Sequence, residues 1–282
     1  MVNDFVFYRC NFVSIILKDK KMNSKNNEHK ESNKKEMNKS VLITGANRSI
    51  GLETAKQLSE KGLFVYLGSR DLEKGEEAVK ELNKKGFNNI KAIQIDVNNP
   101  DSILAAKSII ENEQGKLDIL INNAGVLGVL PQEPSITSIE DIQKTFDTNF
   151  FGVIRVTQVF LELLKKSDSP RISNITSGLG SLTLHSDPNW KYHAIKGVCY
   201  VPSKAALNAF TITLAYELRD LPFKVNAIDP GYTATDFNHF SGPGTVESAA
   251  GFIIKHTLTD ENAPTGKFFS NDIEDESEES PW

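Results

Sequence analysis

The stretch WKYHAIKGVCYVPSKAALNAF (190–210) holds two tyrosines, each with a lysine four residues later: Tyr192 with Lys196, and Tyr200 with Lys204. On a helix that spacing puts phenol and ammonium on one face. The cation favours the phenolate and lowers a phenol pKa that is about 10 on its own. Such a pair can pass a proton to or from an oxygen on a reacting carbon. The two pairs do not read alike. Lys196 is followed at once by Gly197, whereas Lys204 runs into AALNAFTITLAYELR, a strong helix pattern. Pro202 fits only a first helical turn, which puts the helix start near residue 201. The reading therefore places the chemistry on Tyr200 and Lys204 and leaves Tyr192 and Lys196 as an exposed loop pair.

The elements that must hold this helix follow from alternation along the chain. Short apolar runs at 40–45, 63–69, 90–97, 117–125, 171–177 and 223–231 read as strands, with 266–270 as a seventh. Helical stretches separate them, two closing on Gly62 and Gly86, and one running long from Ile139 to Lys166. Strands alternating with helices mean right-handed βαβ units. The expected fold is α/β: a Rossmann-type, doubly wound parallel sheet of about seven strands, helices on both faces, in a single domain over 39–270.

The ends read differently from this body. Residues 1–39 carry nine Lys/Arg against five Asp/Glu, and 18–39 are almost all Lys, Asn, Glu and Ser. Residues 1–38 are expected to be a disordered or non-native extension, with Met22 and Met37 as further start sites. Six acids fall in NDIEDESEESPW, so 271–282 reads as an acidic C-terminal tail. The net charge of −5 gives no case for nucleic-acid binding. The apolar stretch 5–17 contains Arg9 and Asn11 and is too short to span a membrane. Cys10 and Cys199 form neither a disulfide framework nor a metal motif, so no metal is expected and a reducing, cytoplasmic setting is the default.

TGANRSIG (44–51) lies where the first strand meets the first helix. A turn of small residues there lets backbone N–H groups and the helix N-terminus face a pyrophosphate. Gly45 suits a tight turn, Gly51 lets helix and strand approach, and Ser49 is a candidate helix N-cap. Read as structure alone, these glycines are turn chemistry. Beyond the second strand stand Ser69 and Arg70, where an acid usually holds a ribose with free hydroxyls. Together with Arg48 they suit a 2′-phosphate, since guanidinium pairs with phosphate by charge-assisted hydrogen bonds; Asp71 weighs slightly against it.

With TGANRSIG, NNAG at Asn122–Gly125 and YVPSK at 200–204 in view, the chain resembles the short-chain dehydrogenase/reductase family over about 39–270. Ser49 departs from the family turn, T-G-x-x-x-G-x-G, at its middle glycine. The resemblance implies a nicotinamide cofactor, NADP(H) rather than NAD(H). It implies contacts from Gly45, Asn47, Arg48, Ser49, Ile50, Gly51, Ser69, Arg70, Asp96, Val97, Asn123, Ala124, Gly125, Pro230, Gly231 and Thr233, besides Tyr200 and Lys204. It carries the catalytic set onto Asn149, Ser177, Tyr200 and Lys204. Tyr200 would donate the proton and Ser177 hold the substrate oxygen. Lys204 would bond the nicotinamide ribose, and Asn149 would hold a water linking Lys204 to solvent.

Within the family, TGANR, GSRD, an insertion at about 180–197 and PGYTATD are similar to carbonyl reductases, which implies reduction of an aldehyde or ketone. Leu179, Leu182, Leu184, Trp190, Phe237 and Phe240 are candidates for an apolar substrate pocket. The segment from Thr233 to Ala250 reads as a mobile lid. The alternatives are an oxidative alcohol, sterol or sugar dehydrogenase, a non-catalytic NADP-binding regulator, and a scaffold acting through the charged ends. The expected partner is a small carbonyl or alcohol; the chain would be a monomer or homodimer.

Overall fold

A computed structural model describes residues 39–282; the expectation for residues 1–38 lies outside the described residues. Seven parallel strands form one sheet: β1 (Ser40–Ile43), β2 (Phe64–Ser69), β3 (Ile90–Gln94), β4 (Ile119–Asn122), β5 (Arg171–Ile175), β6 (Lys224–Asp229) and β7 (Phe268–Ser270). Their spatial order is β3-β2-β1-β4-β5-β6-β7. The chain leaves β1 in one direction and returns to pair β4 on its other side, so a crevice opens at the carboxyl ends of these two strands. β1, β3, β4, β5 and β6 stop two or three residues before their apolar runs do, because the last residues of those runs turn out of the ladder at the crevice end.

The helices are α1 (Ser49–Glu60), α2 (Leu72–Lys84), α3 (Pro100–Gln114), α4 (Ile139–Phe146), α5 (Gly152–Leu164), α6 (Leu182–Ser186), α7 (Tyr200–Glu217) and α8 (Val246–Thr257). Two cores flank the sheet. Leu42 of β1 packs with Ile103, Phe160 and Leu214 of α3, α5 and α7. Its neighbours Val41 and Ile43 face Leu58, Leu82 and Ile253 of α1, α2 and α8. Alternate strand residues point to opposite faces, and both faces are covered, which is why the runs read as continuously apolar. Among the described residues no helix is long and apolar enough to cross a membrane.

Two expectations are corrected. The long helix at 139–166 is broken by a π-helical turn at Asp147–Phe151, centred on Asn149. The segment 271–282 is part of the folded unit rather than a tail. Ser270 N–H donates to Glu278 C=O (2.9 Å) and Ser280 N–H to Phe268 C=O (2.7 Å), so the segment covers the outer edge of β7. Three of its six acids are paired with cationic side chains: Asp272 with Lys191, Glu278 with Lys255 and His256, and Glu279 with Lys267. These partners are brought close only by the fold.

Candidate active site

At the carboxyl ends of the strands lies a cleft of about 460 Å³. Its floor is a stitched pair of turns. The Thr44 hydroxyl accepts from the N–H groups of Asn123 and Ala124, both at 3.0 Å. The Asn123 amide donates back to the carbonyls of Thr44 (2.9 Å) and Gly45 (3.0 Å). A Cβ on Gly45 would stand 2.9 Å from Ala124 Cα, and one on Gly51 2.6 Å from Asn123 Nδ2. Both glycines are required by close approach.

Ser49 does not cap α1, contrary to expectation. Arg48 takes the N-cap place without a side-chain bond, and Ser49 begins the helix at a φ of 50°. Its hydroxyl bonds the Asp236 carboxylate, which also pairs with the Arg48 guanidinium. Arg48 and Arg70 both line the cleft, together with Asn47, Ile50, Asp96 and Val97. Ser69 does not: it is buried, and its hydroxyl donates to the Asp71 carbonyl (2.6 Å). Asp71 is the N-cap of α2, accepting from Lys74 N–H, which gives that acid a structural role. Asp96 accepts from Asn98 N–H (2.9 Å), as a turn acid does.

The four catalytic candidates converge. Tyr200 begins α7 and Lys204 lies one turn on; the ammonium stands 5.6 Å from the phenol ring centre. Ser177 follows β5 and lines the same cleft as the Tyr200 phenol. Lys204 donates to the Ile175 carbonyl at 2.8 Å. A point one Cβ out from Gly125 lies 3.4 Å from Asn149 Oδ1 and 3.7 Å from Lys204 Nζ, so Asn149 and Lys204 meet across that glycine. The Asn149 amide accepts from Val126 N–H (2.8 Å) and donates to Val126 C=O (2.9 Å) and to the Ser203 hydroxyl (3.0 Å). Its two donor hydrogens are committed, so this side chain anchors the 125–126 turn to α7.

Burial governs the protonation states. It pushes Tyr200 up, with the Asp229 charge adding to the shift and the Ser177 hydroxyl opposing it. Burial also lowers Lys204 to about 8, with Asp229 opposing. The expected lowering of Tyr200 by Lys204 is thus overridden, because desolvation of both groups outweighs their attraction. The phenol is held protonated.

The substrate side is rearranged from expectation. Leu179 and Phe237 line the cleft, with the Phe237 ring 5.7 Å from that of Tyr200. Trp190 stands behind the wall, against Gly178 and Tyr192. Leu182 and Phe240 point to solvent, and Leu184 is absent from the cleft wall. Tyr192 is no exposed loop residue: it lines the cleft beside Tyr232, ring centres 5.7 Å apart. Lys196 reaches the His185 ring (3.0 Å). The insertion folds back over the strand ends, and no periodicity encodes that. The segment expected as a lid is folded over the cleft through a short turn at Asp236–Asn238, and its last residues belong to α8.

Three residues escaped the sequence reading. Buried Gln132 accepts from the N–H groups of Cys199 (3.2 Å) and Tyr200 (3.1 Å), capping α7 from a distant loop. Asp236 is the lid's contact to the cofactor turn. Asp229 is a carboxylate inside the cleft wall. Asp229 was legible as an acid in DPG; the other two carry no local signal.

A parallel sheet with a cofactor-type turn at its switch point and a Ser–Tyr–Lys cluster beside it defines a nucleotide-dependent oxidoreductase. The chain matches the short chain dehydrogenase family model over residues 39–244, and it belongs to that family. It is 31% identical to salutaridine reductase of Papaver somniferum, over 81% of this chain and 93% of the relative. It is 32% identical to (+)-neomenthol dehydrogenase of Arabidopsis thaliana, over 82% and 95% respectively. The solved structure of an NADPH-bound carbonyl reductase from chicken fatty liver superposes with a TM-score of 0.72 at 27% identity, covering 82% of this chain and 96% of that one.

Proposed function

We propose that this protein is an NADP(H)-dependent reductase of small ketones or aldehydes, with Tyr200 as proton donor. The observation that carries the reading is the convergence of Ser177, Tyr200 and Lys204 on one wall of a cleft whose other end presents Arg48, Arg70 and the N-terminus of α1. That donor set fits a phosphorylated dinucleotide: two guanidinium groups and a helix N-terminus for its phosphates, and no acid aimed at a ribose where β2 ends. Arg48 must first leave Asp236. The names of the relatives support a carbonyl substrate, and the similar carbonyl reductase from chicken fatty liver is bound to NADPH.

When bound, the nicotinamide supplies the hydride. The chain manages the oxygen. Ser177 donates a hydrogen bond to the substrate carbonyl, and Tyr200 gives its proton as negative charge grows there. Lys204 holds the ribose and keeps positive charge beside the phenol. Asn149 fixes the turn at Gly125–Val126 against α7. Leu179, Phe237, Tyr192 and Tyr232 give the substrate a mostly apolar, aromatic surround.

The test is a ketone panel assayed with NADPH and NADH for the wild type and Tyr200→Phe. NADPH-dependent reduction lost in the variant is expected. Binding of NADPH without reduction of any carbonyl would favour a regulator.

A further inference from the structure

Asp229 ends β6 inside the cleft and is 3% exposed; no step of the proposed reaction uses it. One carboxylate oxygen accepts from Gly231 N–H at 3.0 Å. The other accepts from the Ser270 hydroxyl at the end of β7, at 2.7 Å. The backbone at Gly178, next to Ser177, lies against the same carboxylate: a Cβ on Gly178 would stand only 3.1 Å from its Oδ2, and the amide there favours the ionised acid. The loops after β5, β6 and β7 therefore meet on one buried acid.

We propose that Asp229 is a positioning residue: by holding the backbone at Gly178 against the ends of β6 and β7, it fixes where Ser177 stands against Tyr200. Its kinetic consequence rests on the reductase reading; the tether itself does not. The charged and titratable groups around Asp229 are Tyr200 and Lys204 of α7, Tyr192 of the insertion, and Asp272 beyond β7, itself paired with Lys191 at 2.9 Å. Burial raises the Asp229 carboxyl to about 6, opposed by Ser270 and the two amides, so at neutral pH it is the anion. That anion opposes ionisation of Tyr200 and supports the Lys204 ammonium. This is the combination of states that a proton donor in reduction needs.

The experiment uses the full chain as wild type, Asp229→Asn and Asp229→Ala. It reads NADPH binding by fluorescence, ketone reduction from about pH 5.5 to 9.5, and amide hydrogen exchange. In both variants kcat is expected to fall about tenfold or more at neutral pH, with NADPH affinity within about twofold. The alkaline limb moves to lower pH, because the charge supporting the Lys204 ammonium is gone. The Gly178 and Gly231 amides lose protection while those of Ile172–Ile175 keep it. In the wild type, where no variant has to fold, Gly178 protection corrected for intrinsic exchange falls several-fold from about pH 7 to 5 as the carboxyl protonates. Variants with an unmoved alkaline limb and unchanged kcat, or Gly178 protection indifferent to pH and to Asp229, overturn the proposal. A wild type that binds NADPH and reduces no carbonyl removes the reductase reading instead, and the exchange data then decide the tether.

Discussion

The Ser49 hydroxyl bonds the carboxylate of Asp236, joining the cofactor turn to the segment folded over the cleft. Ser49 holds this bond at a φ of 50°, a conformation costing a non-glycine residue about 1 kcal/mol or more. The same carboxylate occupies Arg48, a cation that the proposed cofactor would need for its phosphates. An exposed pair of this kind is worth about 0.2–1 kcal/mol. Asp236→Asn is therefore expected to tighten NADPH binding by up to about fivefold. Fluorescence titration measures this, and an unchanged Kd would show that the contact does not compete with cofactor.

Cofactor choice rests on the arginines. Each charge-assisted bond to a phosphate contributes about 1.5–3 kcal/mol. Arg70→Ala is expected to weaken NADPH binding about ten- to hundredfold while leaving NADH nearly unchanged, and Arg48→Ala to do so less, since Arg48 must first leave Asp236. Parallel titrations with both cofactors decide it. Equal losses for NADH and NADPH would mean that neither arginine reads the 2′-phosphate.

Tyr200→Phe keeps the ring against Phe237 and removes the proposed proton donor. Reduction is expected to fall by about 10²–10⁴, with NADPH affinity preserved. A variant that keeps a tenth of wild-type turnover would move the donor elsewhere, Tyr192 being the next phenol on the cleft wall.

The pH profile of kcat/KM for a ketone carries the signature of Lys204. Burial lowers its ammonium to about 8, and in the proposed reaction the ammonium is the active form. Activity should hold below about pH 8 and decline above it, as Lys204 loses its proton. A rate flat to about pH 10 would mean that Lys204 keeps its ordinary pKa of about 10.4.

Gln132→Ala leaves the Cys199 and Tyr200 amides without their acceptor. A lost cap costs about 0.5–2 kcal/mol. Chemical denaturation should show a loss of that size, and kcat should drop because Tyr200 lies in the uncapped turn. Full stability with reduced kcat would mean that Gln132 acts on Tyr200 other than by capping.

The strands, their alternation with helices, and the start of α7 were legible because each rests on short-range rules: apolar runs, Gly stops, and Pro202 restricted to a first turn. Choosing Tyr200 over Tyr192 as the helical pair needed nothing beyond those rules. The sheet order, the burial that holds Tyr200 protonated and lowers Lys204, and the meeting of Gly178, Gly231 and Ser270 on Asp229 were decided by tertiary structure. So were the Gln132 cap, the inward turn of Tyr192, and the pairing of the C-terminal acids. The physical reason is common to all of them. Desolvation and hydrogen-bond partnership depend on which distant segments share a space, and a chain read residue by residue carries periodicity but not proximity.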